Sequence, residues 1–280
     1  NYKAVKIKVT KKEFRSHIKT IIEYYDGINT DEEGLSLNFE KKKFLRLIND
    51  QMYFQADFNK EGKENHKNWS PYKYLYFPDD RLKTYFDDSE TEIGFVKQQD
   101  LDKIQGYKSF LSDLGVQSLL RPIPYQLERS EKFSLAREKL NLNVTHFYDD
   151  EKNYTFKDLD IIMEHMSSTK SSLIWDSLVN LQKNLLLQNQ QNYFQGSFSF
   201  SNRTQRYVQF PSHLVEVLQE NSWLYHNGKT YSPSEILYED LNEEIYKKDE
   251  FSEPLIDLLN FKIDELIPEE VLENLSEEQR

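Results

Sequence analysis

The hydrophobic and polar positions along the chain alternate between two periods. "YKAVKIKV" at Tyr2–Val9 alternates every second residue, which predicts a strand. "TKKEFRSHIKTIIEYYDG" follows, with Thr10 and Glu13 at capping-box spacing and Phe14, Ile18, Ile21, Ile22 and Tyr25 recurring at helical intervals. Gly27 is placed to close that helix. Phe44, Leu45, Leu47 and Ile48 mark a second helix. The polar "FNKEGKENHKNWSPYK" breaks the pattern and predicts a loop, after which "KYLYFPDD" and "IGFV" are strand-like. Asp100 is a candidate cap for a helix that runs to Leu114 and stops at Gly115. "RPIP" at Arg121–Pro124 is the strongest local breaker and marks a domain boundary.

Beyond it the pattern predicts helices over Phe133–Leu140, over Phe156–Met166 with Thr155 as cap, and over Ser171–Gln188. "YFQGSFSFSNRTQRYVQF" alternates on both sides of "SNRT" and predicts a hairpin. Pro211 is a candidate first residue for a helix through Leu218. In "SWLYHNGKTYSPSEIL", Asn227-Gly228 has the left-handed tolerance that a two-residue hairpin turn demands. Ser232 and Glu235 then form a second capping box, with Pro233 at the first helical position. These elements make an α+β fold, helix-rich with short β-hairpins, in two packed subdomains. Residues 1–124 form an N-terminal α+β subdomain, and 125–280 a helix-rich one with hairpins and an acidic C-terminal segment.

Composition changes this picture in three ways. Phe and Tyr, 18 of each in 280 residues, make the expected core aromatic. Cysteine is absent, which removes disulfides, Cys nucleophiles and Cys-based zinc sites and fits a cytoplasmic location. The net charge of -12 resides in Tyr231–Arg280, which carries 16 acidic and 4 basic residues; the rest balances. No long stretch supplies the basic footprint of nonspecific nucleic-acid binding. The nearest is the mildly positive region up to Lys73, with "EKKKF" at Glu40–Phe44. That run fits a solvated helix face, and alternatively a phosphate-contacting one. No apolar run approaches the length of a membrane span, and no secretory signal is visible. The start lacks Met, so the chain is expected to be cut from something longer.

Motifs that carry chemistry are few. The two closest glycines, Gly27 and Gly34, are seven apart, and the one Gly-Lys-Thr, Gly228–Thr230, has Trp223 where a phosphate-binding loop places its first glycine, so that motif is missing. No Ser lies in a G-x-S-x-G elbow. The histidines His17, His66, His146, His165, His213 and His226 are too far apart in sequence for a helical zinc pair. "PDD" at Pro78–Asp80 is half of a metal-nuclease pattern, but no Asp/Glu-x-Lys follows at the usual interval; Glu61-Gly62-Lys63 lies upstream. Glu164-His165 falls at a helix end, and Trp175 shares an apolar stripe with Leu178 and Leu181.

Several segments nonetheless occur in a familiar order: "YLYFPDDRLKTYFDD", "SFLSDLGVQSLLRPI", "SSLIWDSLVNLQKN", "FQGSFSFSNRTQRYVQF" and "SWLYHNGKTYSPSEILY". This order, from about Lys73 to Leu237, resembles the region that follows the GHKL-type ATPase module in large sacsin-like and NO VEIN-like bacterial proteins. The Asn-bearing helix and Asp-x-Gly-x-Gly segment of that ATPase do not appear here. The resemblance implies a piece downstream of the ATPase, with no cofactor of its own, inside a parent linked to anti-phage defence or DNA restriction. It implies a non-catalytic coupling scaffold whose partners are other domains of the same polypeptide or a separate protein, with no membrane involved. Two rivals come from the residues themselves. One is a metal-dependent nuclease built on Asp79, Asp80, Asp87 and Asp88. The other is a nucleic-acid clamp using Lys41, Lys42, Lys43, Arg46, Lys67 and Trp69.

Overall fold

The structure is a computed structural model that describes residues 10–28, 36–49, 53–60, 69–140, 144, 146–188, 190–202 and 204–263. The strand expected at Tyr2–Val9, the Glu61-Gly62-Lys63 triplet and Lys67 lie outside the described residues. The fold is α+β, with short, mostly antiparallel sheets among helices. The chain divides into two units, Asn1–Leu120 and Arg121–Arg280. Among the described residues no helix is long and apolar enough to cross a membrane.

The first unit opens with α1 (Lys11–Asp26) and α2 (Ser36–Asn49). The Thr10–Glu13 capping box is formed reciprocally, satisfying two backbone donors that the first turn leaves unpaired. Gly27 ends α1 with ordinary right-handed backbone, so its place there does not rest on left-handed freedom. Next come β1 (Tyr53–Phe58), β2 (Trp69–Pro71), β3 (Leu75–Tyr76), α3 (Asp80–Phe86), β4 (Gly94–Val96), α4 (Gln98–Lys103) and α5 (Tyr107–Leu114). The strands form one sheet in the order β2-β1-β4-β3, antiparallel except for the β3–β4 pair. Phe14, Ile18, Ile22 and Tyr25 of α1 bury against Phe54, Ala56, Leu75 and Val96 of the sheet and Tyr107, Phe110 and Leu111 of α5.

The single helix expected from Asp100 to Leu114 is two helices. Ile104 is extended and Gly106 takes φ of 77°, which breaks the rod. A β-carbon at Gly106 would also come within 3.0 Å of Ile22 on α1. Asp100 does not cap α4; Lys97 occupies that position, and Asp100 lies buried in the first turn. Its Oδ1 accepts from Arg15 Nε at 2.7 Å, a tie between α4 and α1. Gly115 does stop α5, at φ of 102°.

The second unit begins with β5 (Pro122–Pro124), so "RPIP" is an extended strand as well as a breaker. Two prolines are tolerated because β5 pairs on one side only. There follow α6 (Arg129–Leu140), β6 (His146–Phe147), β7 (Tyr154–Phe156), α7 (Leu159–Met163), α8 (Ser168–Gln188), β8 (Gln195–Asn202), β9 (Thr204–Pro211), α9 (His213–Glu220), β10 (Leu224–His226), β11 (Lys229–Tyr231) and α10 (Pro254–Leu258). Thr155 is no helix cap: it pairs with Ile123 inside the β5–β7 ladder, and α7 starts only after Asp158. Pro211 likewise ends β9, opposite Gln195, and Ser212 precedes α9.

The β8–β9 hairpin pairs eight residues a side, with Gly196 directly across from Phe210. A β-carbon on Gly196 would lie 2.3 Å from that ring. The inward Phe198, Phe200, Val208 and Phe210 pack with Ala136 of α6. A second, aromatic centre gathers Trp175 of α8 with Trp223, Tyr238, Tyr246 and Phe261. Trp223 Nε1 donates to Leu218 O at 2.8 Å, and Trp175 Nε1 to Lys247 O at 2.9 Å, so both indoles are buried without an unpaired N–H. Asn227 and Gly228 both take positive φ, as the turn between β10 and β11 requires. The Ser232–Glu235 box forms, but it opens a single 3-10 turn.

Candidate functional site

The basic residues singled out from sequence lie on α2, and the structure divides their work. Phe44, Leu45 and Ile48 face the core of the first unit. Lys41 leans over that side, its Nζ 4.4 Å from the Tyr25 ring centroid, so its charge is engaged in a cation–π contact. Lys42 and Arg46, one turn apart, are exposed together on the outer face. Lys43 is exposed on a third stripe with Leu47, which is 67% exposed. Trp69 is half-buried and stands edge-on to Phe14, with ring centroids 5.0 Å apart. Its indole packs on the hydrophobic core of the unit rather than standing out as a stacking platform.

What the pattern did not single out is the groove beside these lysines. Glu23, Tyr24, Gly27 and Ile28 of the α1 end line one side, and Glu40, Lys43, Phe44 and Leu47 of α2 the other. Tyr24 is 64% exposed, and its ring meets Phe44 at 5.2 Å between centroids. The neighbouring Tyr25 turns inward, where burial and its hydrogen bond to Asp113 raise its pKa above the ordinary phenol value. Tyr24 and Leu47 each sit one residue off the core stripe of their own helix. That offset was the available signal, since an apolar residue beside the buried face ends up on the surface.

Two of the four acids considered for a metal are engaged by α3 itself. Asp79 caps α3, its Oδ1 accepting from Arg81 N at 2.8 Å and Leu82 N at 3.3 Å. Asp80 is exposed and paired with Lys83 at 2.9 Å, a hydrogen bond that lowers its pKa below the usual carboxylate range. Asp87 follows at the far end of α3, a turn and more away, and Asp88 is exposed beside it. Among the described residues no three His, Asp or Glu side chains are placed to hold a metal ion. Asp79→Asn is therefore expected to leave thermal stability within about 0.5 kcal/mol of the parent, because Asn caps as well as Asp. Asp79→Ala is expected to cost about 1 kcal/mol by chemical denaturation.

The second unit holds one group of titratable side chains that the sequence did not bring together. The rings of Tyr125 and His213 stack at 3.7 Å and 6°, with His213 Nε2 3.4 Å from Asp160 Oδ2. His213 opens α9, its backbone N–H donating to Asn153 Oδ1 at 2.8 Å. Burial, and then Glu131, Asp160, Glu128 and Glu216, raise the Tyr125 pKa; burial also raises that of Glu216, against the pull of His213. The arrangement holds the imidazole at the start of α9 between Tyr125, which follows β5, and Asp160 of α7. Glu164 and His165 are exposed at the end of α7. His226 is half-buried beside its turn, with Asn227 Nδ2 2.7 Å from its Nε2.

No protein-family model, no curated protein and no solved structure matches this chain.

Proposed function

We propose that this chain is a non-catalytic scaffold and coupling region of a large, cytoplasmic, bacterial protein of the sacsin-like, GHKL-ATPase type, linked to anti-phage defence or DNA restriction. In this reading it passes ATP-dependent movement from an upstream module to a partner. The observation that carries it is the groove between α1 and α2. Tyr24 and Leu47 are large apolar side chains held out to solvent by two capped or well-packed helices, at a cost that an interaction surface accounts for. The order of the resembling segments supports the parentage. Each of them does structural work: Asp79 caps α3, Gly115 stops α5, Trp175 and Trp223 centre a core, and Gly196 lets the β8–β9 hairpin close.

The purified chain is expected to show neither ATP hydrolysis nor magnesium- or calcium-dependent DNA cleavage. Cleavage that disappears in Asp79→Asn, a variant that keeps the helix cap, would replace this reading with the nuclease. The full reading frame is expected to carry an Asn-bearing helix and an Asp-x-Gly-x-Gly segment upstream of Asn1, and their absence would remove the parent. A second reading, the nucleic-acid clamp, draws on the exposed trio Lys42, Lys43 and Arg46. It requires DNA binding that falls steeply with salt and with Lys42→Glu.

A further inference from the structure

The chemistry of the α1–α2 groove identifies the kind of partner, and this inference rests on the scaffold reading. We propose that the groove takes an acidic amphipathic helix from a protein partner. Shape argues for a helix. Both α1 and α2 pack on α5 and touch each other through Tyr24 and Tyr25 against Phe44, so they leave a channel whose walls are helices. A third helix fits such a channel by laying its apolar ridge between theirs. Gly27 lines the α1 side, where its missing β-carbon spares the carbonyl oxygens of Glu23 and Tyr24 at the end of that helix. Phe44, Leu47, Tyr24 and Ile28 supply apolar contacts of the kind that anchor residues at i, i+3 or i+4 and i+7 would meet.

Charge argues for an acidic helix. Within a chain of net charge -12, α2 carries three lysines and one arginine against a single glutamate. Lys43 lines the groove, and Lys42 and Arg46 are exposed along the same helix. In the lining itself Glu23, paired with Lys19 at 3.8 Å, and Glu40 stand against Lys43, so the positive excess lies along the α2 flank, where Lys42 and Arg46 are exposed. A helix with Leu on one face and Glu along its flank would therefore bury its leucines on Tyr24, Phe44 and Leu47 and set its carboxylates beside Lys43 and Arg46. Duplex DNA would meet the same cations but would leave Tyr24 and Leu47 without a partner.

The test uses a fluorescein-labelled synthetic peptide of about 18 residues, about five helical turns, with Leu at i, i+3, i+4 and i+7 and Glu elsewhere. Its binding to the whole chain is followed by anisotropy beside a copy with Lys in place of Glu and a labelled DNA duplex. The acidic peptide is expected to bind, to weaken as salt rises, and to lose about tenfold or more with Leu47→Asn and with Lys43→Glu/Arg46→Glu. Both variants alter exposed side chains and are checked for unchanged melting; Lys229→Glu on the second unit serves as the charge control and is expected to bind like the parent. No binding of the acidic peptide, equal binding of the Lys copy, insensitivity to both groove variants, or capture of DNA alone would each overturn the proposal. None of these outcomes depends on ATP hydrolysis or DNA cleavage by the isolated chain, which test the scaffold reading separately.

Discussion

Trp223→Ala is expected to destabilise the second unit by about 3–5 kcal/mol in urea denaturation followed by circular dichroism, whereas His226→Ala, three residues away, should change it by less than about 0.5 kcal/mol. Trp223 is fully buried, within 6.5 Å of Trp175 between ring centroids, and its N–H is held by Leu218 O. Truncation would open a cavity next to the aromatic cluster around Trp175 and leave that carbonyl without its indole donor. His226 is half-buried, with its ring 6.4 Å from that of Tyr231 and its Nε2 2.7 Å from the exposed Asn227, so its removal takes no large side chain from the core. Equal, small effects from the two substitutions would mean that the β10–β11 hairpin is not anchored through its tryptophan.

Arg15→Ala is the second large effect expected, a loss of about 3 kcal/mol from the first unit. The Asp100 side chain is 2% exposed and Arg15 30%, and Arg15 Nε and Nη2 both reach Asp100 Oδ1 at 2.7 Å. Among the described residues Asp100 Oδ2 has no hydrogen-bond partner, so the guanidinium carries most of the compensation for the buried charge. Removing it leaves a carboxylate in an apolar setting beside Tyr107, which costs far more than an exposed ion pair is worth. Arg15→Ala/Asp100→Asn should recover much of the loss, since no charge is then stranded. A double variant as unstable as the single one would show that Arg15 acts through packing of its stem and not through Asp100.

Features set by a few adjacent residues were legible in the sequence. The Thr10–Glu13 and Ser232–Glu235 boxes, the Asn227-Gly228 turn, the end of α5 at Gly115 and the alternation of β8 and β9 each follow from local backbone chemistry. The misreadings occurred where a distant partner decides. Thr155 suits both a cap and a strand, and only pairing with Ile123 makes it a strand residue. Pro211 can open a helix or end a strand, and Gln195 across the ladder selects the latter. The close approach of Ile22, on another helix, to Gly106 was not visible along the chain, and the tie of Asp100 to Arg15 spans 85 positions. The same distinction governs the candidate site. Lysines on α2 were visible as a run, but which apolar residues stay outside depends on how α1 and α2 rest on α5. Tyr24 and Leu47 therefore looked like ordinary members of their helices.

The glycine beneath Phe210 also bears on how the β8–β9 hairpin can fail. A slip of one residue would take Phe198 and Phe200 off Ala136 and onto the face where Ser197 and Ser199 lie buried, with the Ser199 N–H held by Asp150 Oδ1, so both faces of the strand oppose it. A slip of two keeps every side chain on its proper face and is the dangerous error. It would set Phe210 opposite Phe198 or Phe194 and take its ring off Gly196, the one position of the β8–β9 ladder with no side chain beneath it. One missing side chain thus works as a lock and key that admits a single alignment of the two strands.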